Sequence, residues 1–315
     1  MAENFDLIIA GGGPAGLAAG LYAARMNLRT VLLERGPLGG QLLNTELIED
    51  YPGIESILGA DLAVKMGEHA RKFGLDVREF TEVESIAAED GEKVVRTHGG
   101  DELRAPALIV AAGGLPRKLE VPGEVELAGR GVSYCAVCDG AFFKGEVLAV
   151  VGGGDAAVEE ADFLTRYASK VYLIHRRDEF RAQPILLERA KANPKIEFIL
   201  NARVQQIVGD HKVQKITYEQ DGQVKDLEVG GVFIFVGFLP NSGLLKVHVN
   251  HDENGYILTD RDMSTSVEGL WAVGDVRAQL TKQIATAVGD GTTAAVAASA
   301  YVSRVRDRER AGAAS

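Results

Sequence analysis

Cys135-Ala136-Val137-Cys138 sets two thiols three positions apart, the spacing of redox-active pairs in which one thiolate attacks a disulfide and its neighbour resolves the mixed disulfide. They are the chain's two cysteines, too few and too close together for a stabilising disulfide framework. Zinc would need a second pair or histidines at ligand spacing. His69, His98, His211, His248 and His251 show no such spacing, so no metal is expected. Asp139 follows the second cysteine directly. Dithiol chemistry releases a thiolate that must be protonated, and a partly buried carboxyl group beside it is a candidate proton donor.

A second kind of chemistry is written in glycines. Gly11, Gly13 and Gly16 follow the apolar run Leu7–Ala10 and precede an alanine-rich segment of helical spacing. In that context a G-x-G-x-x-G turn lets a pyrophosphate approach the backbone and rest on a helix N-terminus. Glu34, 23 positions after Gly11, closes the next strand, where a carboxylate accepts hydrogen bonds from an adenosine ribose. The pattern returns as Gly152, Gly154 and Ala157 after Val147–Val151. There the position 23 residues on is His175, followed by Arg176 and Arg177, so cations replace the carboxylate. Guanidinium groups grip a 2′-phosphate that a carboxylate would repel, and this turn should prefer NADPH to NADH. Arg181 reaches the same phosphate if its segment is helical.

Positioning these groups requires two βαβ openings, each a buried strand, a glycine turn, a helix and a second strand. The expected fold is therefore α/β, with two Rossmann-like dinucleotide-binding domains. Turn residues cluster at Gly113-Gly114-Leu115-Pro116 and again at 237–243, marking two crossings between domains. On this reading residues 1–115 and 246–315 form one domain, and 116–245, carrying the dithiol, is inserted into it.

Composition narrows the partners. The 315 residues are 46% hydrophobic and 25% charged, the balance of an ordinary soluble protein of roughly two domains. A formal net charge of −11 with no strongly basic stretch argues against nucleic acid. The sequence passes from Met1 straight into Phe5–Ala10 without a signal-like region, and the small-residue stretch 284–302 is broken by Gly289-Asp290-Gly291. No membrane association and a cytoplasmic location are expected.

The two glycine motifs, Cys-Ala-Val-Cys-Asp-Gly between them, His-Arg-Arg-Asp-Glu-Phe-Arg at 175–181 and Val273-Gly274-Asp275 together resemble bacterial-type thioredoxin reductases, along essentially the whole chain. The resemblance implies an FAD domain in two pieces, an inserted NADPH domain and a homodimer. FAD would rest on Gly11, Gly13, Pro14, Ala15 and Gly16, with Glu34 and Arg35 at the adenosine. Gly40, Gln41, Asn44, Asp50 and Gly113 would line the flavin side, Gly274 and Asp275 its ribityl and phosphate region, and Lys282, Gln283 and Ile284 a further flavin contact. NADPH would lie on Gly153, Gly154, Asp155 and Ala156, with His175, Arg176, Arg177 and Arg181 around its 2′-phosphate. By the same resemblance hydride passes from NADPH to FAD, reduced flavin opens the disulfide through Cys138, and Cys135 attacks thioredoxin, with the crossings as hinges between two domain orientations.

Two positions depart from the family pattern: Lys282 stands where arginine is frequent, and Ala112 where threonine is frequent. Relatives fed by ferredoxin, or passing electrons to oxygen, are the competing enzymes. A 2′-phosphate clamp would serve neither, and a flavin-bound sensor without turnover would not need an intact dithiol.

Overall fold

In a computed structural model, which describes residues 2–313, the chain divides into two units. One takes the chain up to Leu115 and again from Leu239, and the other, Pro116–Phe238, is inserted between these pieces. The crossings Gly114–Pro116 and Phe238–Pro240 are hydrogen-bonded to each other as a two-stranded sheet. Residues 239–245, which the sequence reading assigned to the insertion, group with the first unit. Asn241 N donates to Gly113 O at 3.0 Å, Ile86 N to Leu244 O at 2.9 Å and Lys246 N to Ile86 O at 2.8 Å.

The first unit is built on a parallel sheet in the order Leu270–Ala272, Ala107–Val110, Leu7–Ala10, Thr30–Leu33, Asp76–Arg78. Leu7–Ala10 is buried along its whole length, which explains its unbroken apolar run. Leu7 and Ile9 face helices, packing with Leu17, Ala19, Ala294 and Ala298. Ile8 and Ala10 face the other way, toward Ile86, Val95 and Leu103 of a four-stranded, mainly antiparallel sheet.

Pro14 opens the helix Pro14–Arg25, where its missing N–H costs nothing. This helix packs against the long C-terminal helix Ile284–Ala313 through small residues. A β-carbon on Gly291 would stand 2.1 Å from Ala15 O, so a Gly291→Val change would force the two helices apart.

The inserted unit repeats the plan. Its parallel sheet runs Val132–Ser133, Gly231–Phe235, Val147–Gly152, Lys170–Ile174, Ile196–Ile199. Leu148 and Val150 meet Val158, Ala161 and Leu164 of the helix Asp155–Leu164. Ala149 and Val151 meet Val204, Ile207, Ile216 and Tyr218 of a three-stranded antiparallel sheet. Each fully buried Leu, Ile or Val contributes about 1.5–3 kcal/mol, so the sheet faces hold each unit together. Among the described residues no helix is long and apolar enough to cross a membrane.

Candidate active site

The dithiol lies just beyond the strand Val132–Ser133, in the inserted unit, with Cys135 and Cys138 joined as a disulfide across a Cα separation of 5.4 Å. Cys135 is half-buried and caps the one-turn helix Ala136–Asp139, while Cys138 is exposed. Cys138 N donates to Cys135 Sγ at 3.2 Å. That donor is placed to stabilise negative charge on Cys135 once the disulfide opens. Asp139 follows Cys138 and closes the same one-turn helix. Ser133 Oγ donates to Asp139 Oδ2 at 2.6 Å and accepts from Cys135 N at 3.1 Å.

Tyr134, between Ser133 and Cys135, is tied into the same unit by Glu124. The Tyr134 hydroxyl donates to Glu124 Oε1 at 2.7 Å, and the buried carboxylate also accepts from Leu119 N at 2.9 Å and Glu120 N at 2.6 Å. Burial and the neighbouring carboxylate push the Tyr134 phenol up, so it stays a neutral donor. The sequence reading missed both Ser133 and Glu124. A serine two residues before the first cysteine, placed for a local side-chain to backbone bond, was the one available signal.

The two glycine turns have one geometry. Gly11 has φ +115°, and a β-carbon there would lie 2.2 Å from Ala111 O; Gly152 has φ +159°, and its β-carbon would lie 2.3 Å from Phe235 O. In both, the backbone of the next strand leaves no room for a side chain. Gly13 and Gly154 are the opposite case, with open space beside Gly154 and only Gly40 and Gly39 at about van der Waals distance from Gly13. Each is the N-cap of a helix and lacks a side-chain capping bond. Uncapped N–H groups facing open space fit a pyrophosphate at both turns.

At the second turn, Arg176, Arg177 and Arg181 are exposed, and among the described residues none of the three guanidinium groups is ion-paired. The segment carrying them is not helical. Arg181 arrives instead through its backbone, its N donating to Gly153 O at 2.8 Å. Asp155 accepts from Gln183 N at 2.8 Å and Gln183 Nε2 at 3.1 Å, so its carboxylate fastens this loop to the turn, a role the sequence did not reveal. Ala156, on the same first helical turn, is exposed.

His175 was expected around the 2′-phosphate together with the arginines. It is buried beneath Gly153, its Nε2 3.1 Å from Glu179 O and its ring stacked on Phe180 at 5.0 Å. Burial, reinforced by the nearby arginines, holds the imidazole below its ordinary value, so it supports the turn as a neutral ring.

At the first turn, Glu34 accepts from Gly12 N at 2.7 Å through Oε2 and from Gly36 N at 3.0 Å through Oε1. Its remaining lone pairs are the ones open to a ribose. Gly39 N donates to Gly12 O at 2.9 Å, which brings the short 3₁₀ helix Gly40–Asn44 against the turn. Within it Asn44 Nδ2 donates to Gln41 Oε1, and Gln41 Nε2 to Gly114 O, next to Gly113.

From the C-terminal piece, Gly274 (φ +69°) packs on Ala15, and its N donates to Asp290 Oδ2, which pairs with Arg277. Burial raises the Asp275 carboxyl, opposed by Lys282. Lys282 Nζ donates to Asp275 O at 2.8 Å and Arg277 O at 3.2 Å and lies 3.9 Å over the Tyr256 ring. The lysine thus braces the loop with a single charged point, a task that needs no planar fork. Gln283 opens the last helix through Thr286, and Ile284 packs with Leu42, beneath the 3₁₀ helix. Ala112 is partly buried against the core. Arg35 and Asp50 are exposed, and among the described residues neither hydrogen-bonds to the turn.

Known proteins match nearly the whole of this chain. The family model described as pyridine nucleotide-disulphide oxidoreductase matches residues 5–291. The chain is 48% identical over 306 residues to the thioredoxin reductase of Bacillus subtilis (strain 168), covering 96% of each. It is 48% identical over 314 residues to that of Listeria monocytogenes, covering 98% of each. The crystal structure of Lactococcus lactis thioredoxin reductase is similar at a TM-score of 0.93 and 45% identity, over 95% of this chain and 99% of that one. Similarity at this level, continuous through the dithiol and both glycine turns, leaves a single assignment: the chain belongs to the pyridine nucleotide-disulphide oxidoreductase family, among the bacterial-type thioredoxin reductases.

Proposed function

We propose that this protein is an NADPH-dependent flavoenzyme that reduces the disulfide of thioredoxin, with FAD on the first glycine turn and NADPH on the second. The observation that carries the reading is the Cys135–Cys138 disulfide with a backbone donor on Cys135 Sγ, followed by Asp139 with its carboxyl held by Ser133. When bound, FAD and NADPH supply the two electrons that open this disulfide.

The chain's own residues do the rest. Cys135, held as a thiolate by the Cys138 N–H, attacks one sulfur of the thioredoxin disulfide, and the other sulfur leaves as a thiolate that takes the Asp139 proton. Cys138 then gives its proton back to Asp139 and attacks Cys135 Sγ. This restores the Cys135–Cys138 disulfide and releases the second thioredoxin sulfur. Gly11, Gly13 and Gly16 bind the flavin nucleotide with Glu34 at its ribose, and Gly40–Asn44, Gly274, Asp275 and the Lys282–Ile284 segment enclose it. Gly153, Gly154 and Ala156 bind NADPH, and Arg176, Arg177 and Arg181 grip its 2′-phosphate. A cytoplasmic homodimer completes the proposal on the strength of the family resemblance.

Steady-state oxidation of NADPH by the purified protein with oxidised thioredoxin tests the activity. Turnover that disappears when Cys135 is replaced by serine supports it, whereas NADPH consumption independent of thioredoxin contradicts it.

A further inference from the structure

Ser133 is buried, 4% exposed, and its hydroxyl stands among three groups of the dithiol loop. It is 2.6 Å from Asp139 Oδ2, 3.1 Å from Cys135 N and 3.2 Å from Cys135 O. A hydroxyl has one hydrogen to donate and two lone pairs to accept with. With Asp139 ionised, Ser133 donates to Oδ2 and accepts from Cys135 N–H. With Asp139 protonated, the carboxyl donates to Ser133 Oγ, Cys135 N–H still donates to it, and the Ser133 hydrogen turns to Cys135 O. Every donor at Ser133 has a partner in both states without movement of a heavy atom. Cys135 O accepts Asp139 N at 3.2 Å as well, and its second lone pair serves Ser133.

We infer that Ser133 is a positioning residue for proton transfer, a rotating hydroxyl that keeps the Asp139 carboxyl fixed beside the dithiol in both of its protonation states. The inference rests on the reading of Asp139 as the proton donor. The proton that Asp139 gives to the departing thioredoxin thiolate, and the one it regains from Cys138, are then exchanged from a single carboxyl orientation. Alanine at 133 would leave Cys135 N–H without its acceptor and let the carboxyl swing away from the cysteines.

Stopped-flow mixing of the NADPH-reduced holoenzyme with oxidised thioredoxin, across pH, tests this in the wild type, Ser133→Ala, Asp139→Asn and the double variant. Loss of one charge-assisted bond predicts exchange slowed about 10- to 100-fold in Ser133→Ala, with its pH profile displaced. Flavin bleaching by NADPH should stay at the wild-type rate, which also reports that the variant is folded. Adding Ser133→Ala to Asp139→Asn should slow exchange no further. Wild-type exchange in Ser133→Ala, or slowing that multiplies with that of Asp139→Asn, would overturn the role of Ser133 alone. Wild-type exchange in Asp139→Asn would overturn the reading of Asp139 beneath it.

Discussion

The imidazole of His175 fills the space that a side chain on Gly153 would need: a β-carbon there would stand 2.2 Å from His175 Cε1 and 2.3 Å from Nδ1. Because burial holds this histidine below its ordinary value of 6.5, the unfolded chain takes up a proton near that pH that the folded chain does not. Its contribution to stability is intact above pH 6.5 and declines as the pH falls below it. Thermal unfolding followed from pH 8 to 5 should show this decline, and His175→Gln should flatten it. An unchanged slope in the variant would remove His175 from the explanation.

Arg176, Arg177 and Arg181 are exposed and free of carboxylate partners among the described residues. Replacing Arg177 with alanine should raise KM for NADPH by about 10- to 100-fold, the worth of one charge-assisted contact to phosphate. KM for NADH should scarcely move. Equal losses with both nucleotides would place Arg177 away from the 2′-phosphate.

Both oxygens of Glu34 are engaged by the loop they stabilise, one by Gly12 N and one by Gly36 N. Glu34→Gln turns an amide N–H₂ against one of those donors and costs about 1–3 kcal/mol locally. The variant should release FAD more readily on dilution, read by the rise in free-flavin fluorescence. Its affinity for NADPH should not change.

The strands were legible in the sequence because parallel strands buried on both faces are unbroken apolar runs, and Leu7–Ala10 and Val147–Gly152 each lead into a glycine turn. The arginine cluster was read as a 2′-phosphate site from its register with Glu34. Its scaffold was not legible. Arg181 would have reached the phosphate from a helix, but its segment is not helical and it is placed by a backbone bond to Gly153, while Asp155 and Gln183 tie the loop down across 28 positions. His175 reads as one more cation and lies buried, because burial depends on what Phe180 and Gly153 do around it. Such bonds leave no periodic trace; the second crossing was read at 237–243, which includes Phe238–Leu239, but the inserted domain was carried on to 245.

Glu124 collects three donors: Leu119 N, Glu120 N and the Tyr134 hydroxyl. Glu124→Leu strands all three and should destabilise the inserted unit by roughly 2–4 kcal/mol. Tyr134→Phe removes one donor, leaves the carboxylate two, and should cost only about 1 kcal/mol. Urea unfolding of the two variants, compared through their midpoints, checks the ordering. A larger loss in Tyr134→Phe would contradict it.

The proposed electron path runs from NADPH through a bound flavin to the Cys135–Cys138 disulfide and on to thioredoxin. Its most direct test is the flavin absorbance of the purified protein during anaerobic titration with NADPH, followed by oxidised thioredoxin, in the wild type and in Cys138→Ser. Bleaching by NADPH in preference to NADH is expected in both proteins, with recovery on adding thioredoxin in the wild type alone. A flavin that stays oxidised under NADPH, or that recovers equally without Cys138, would contradict it.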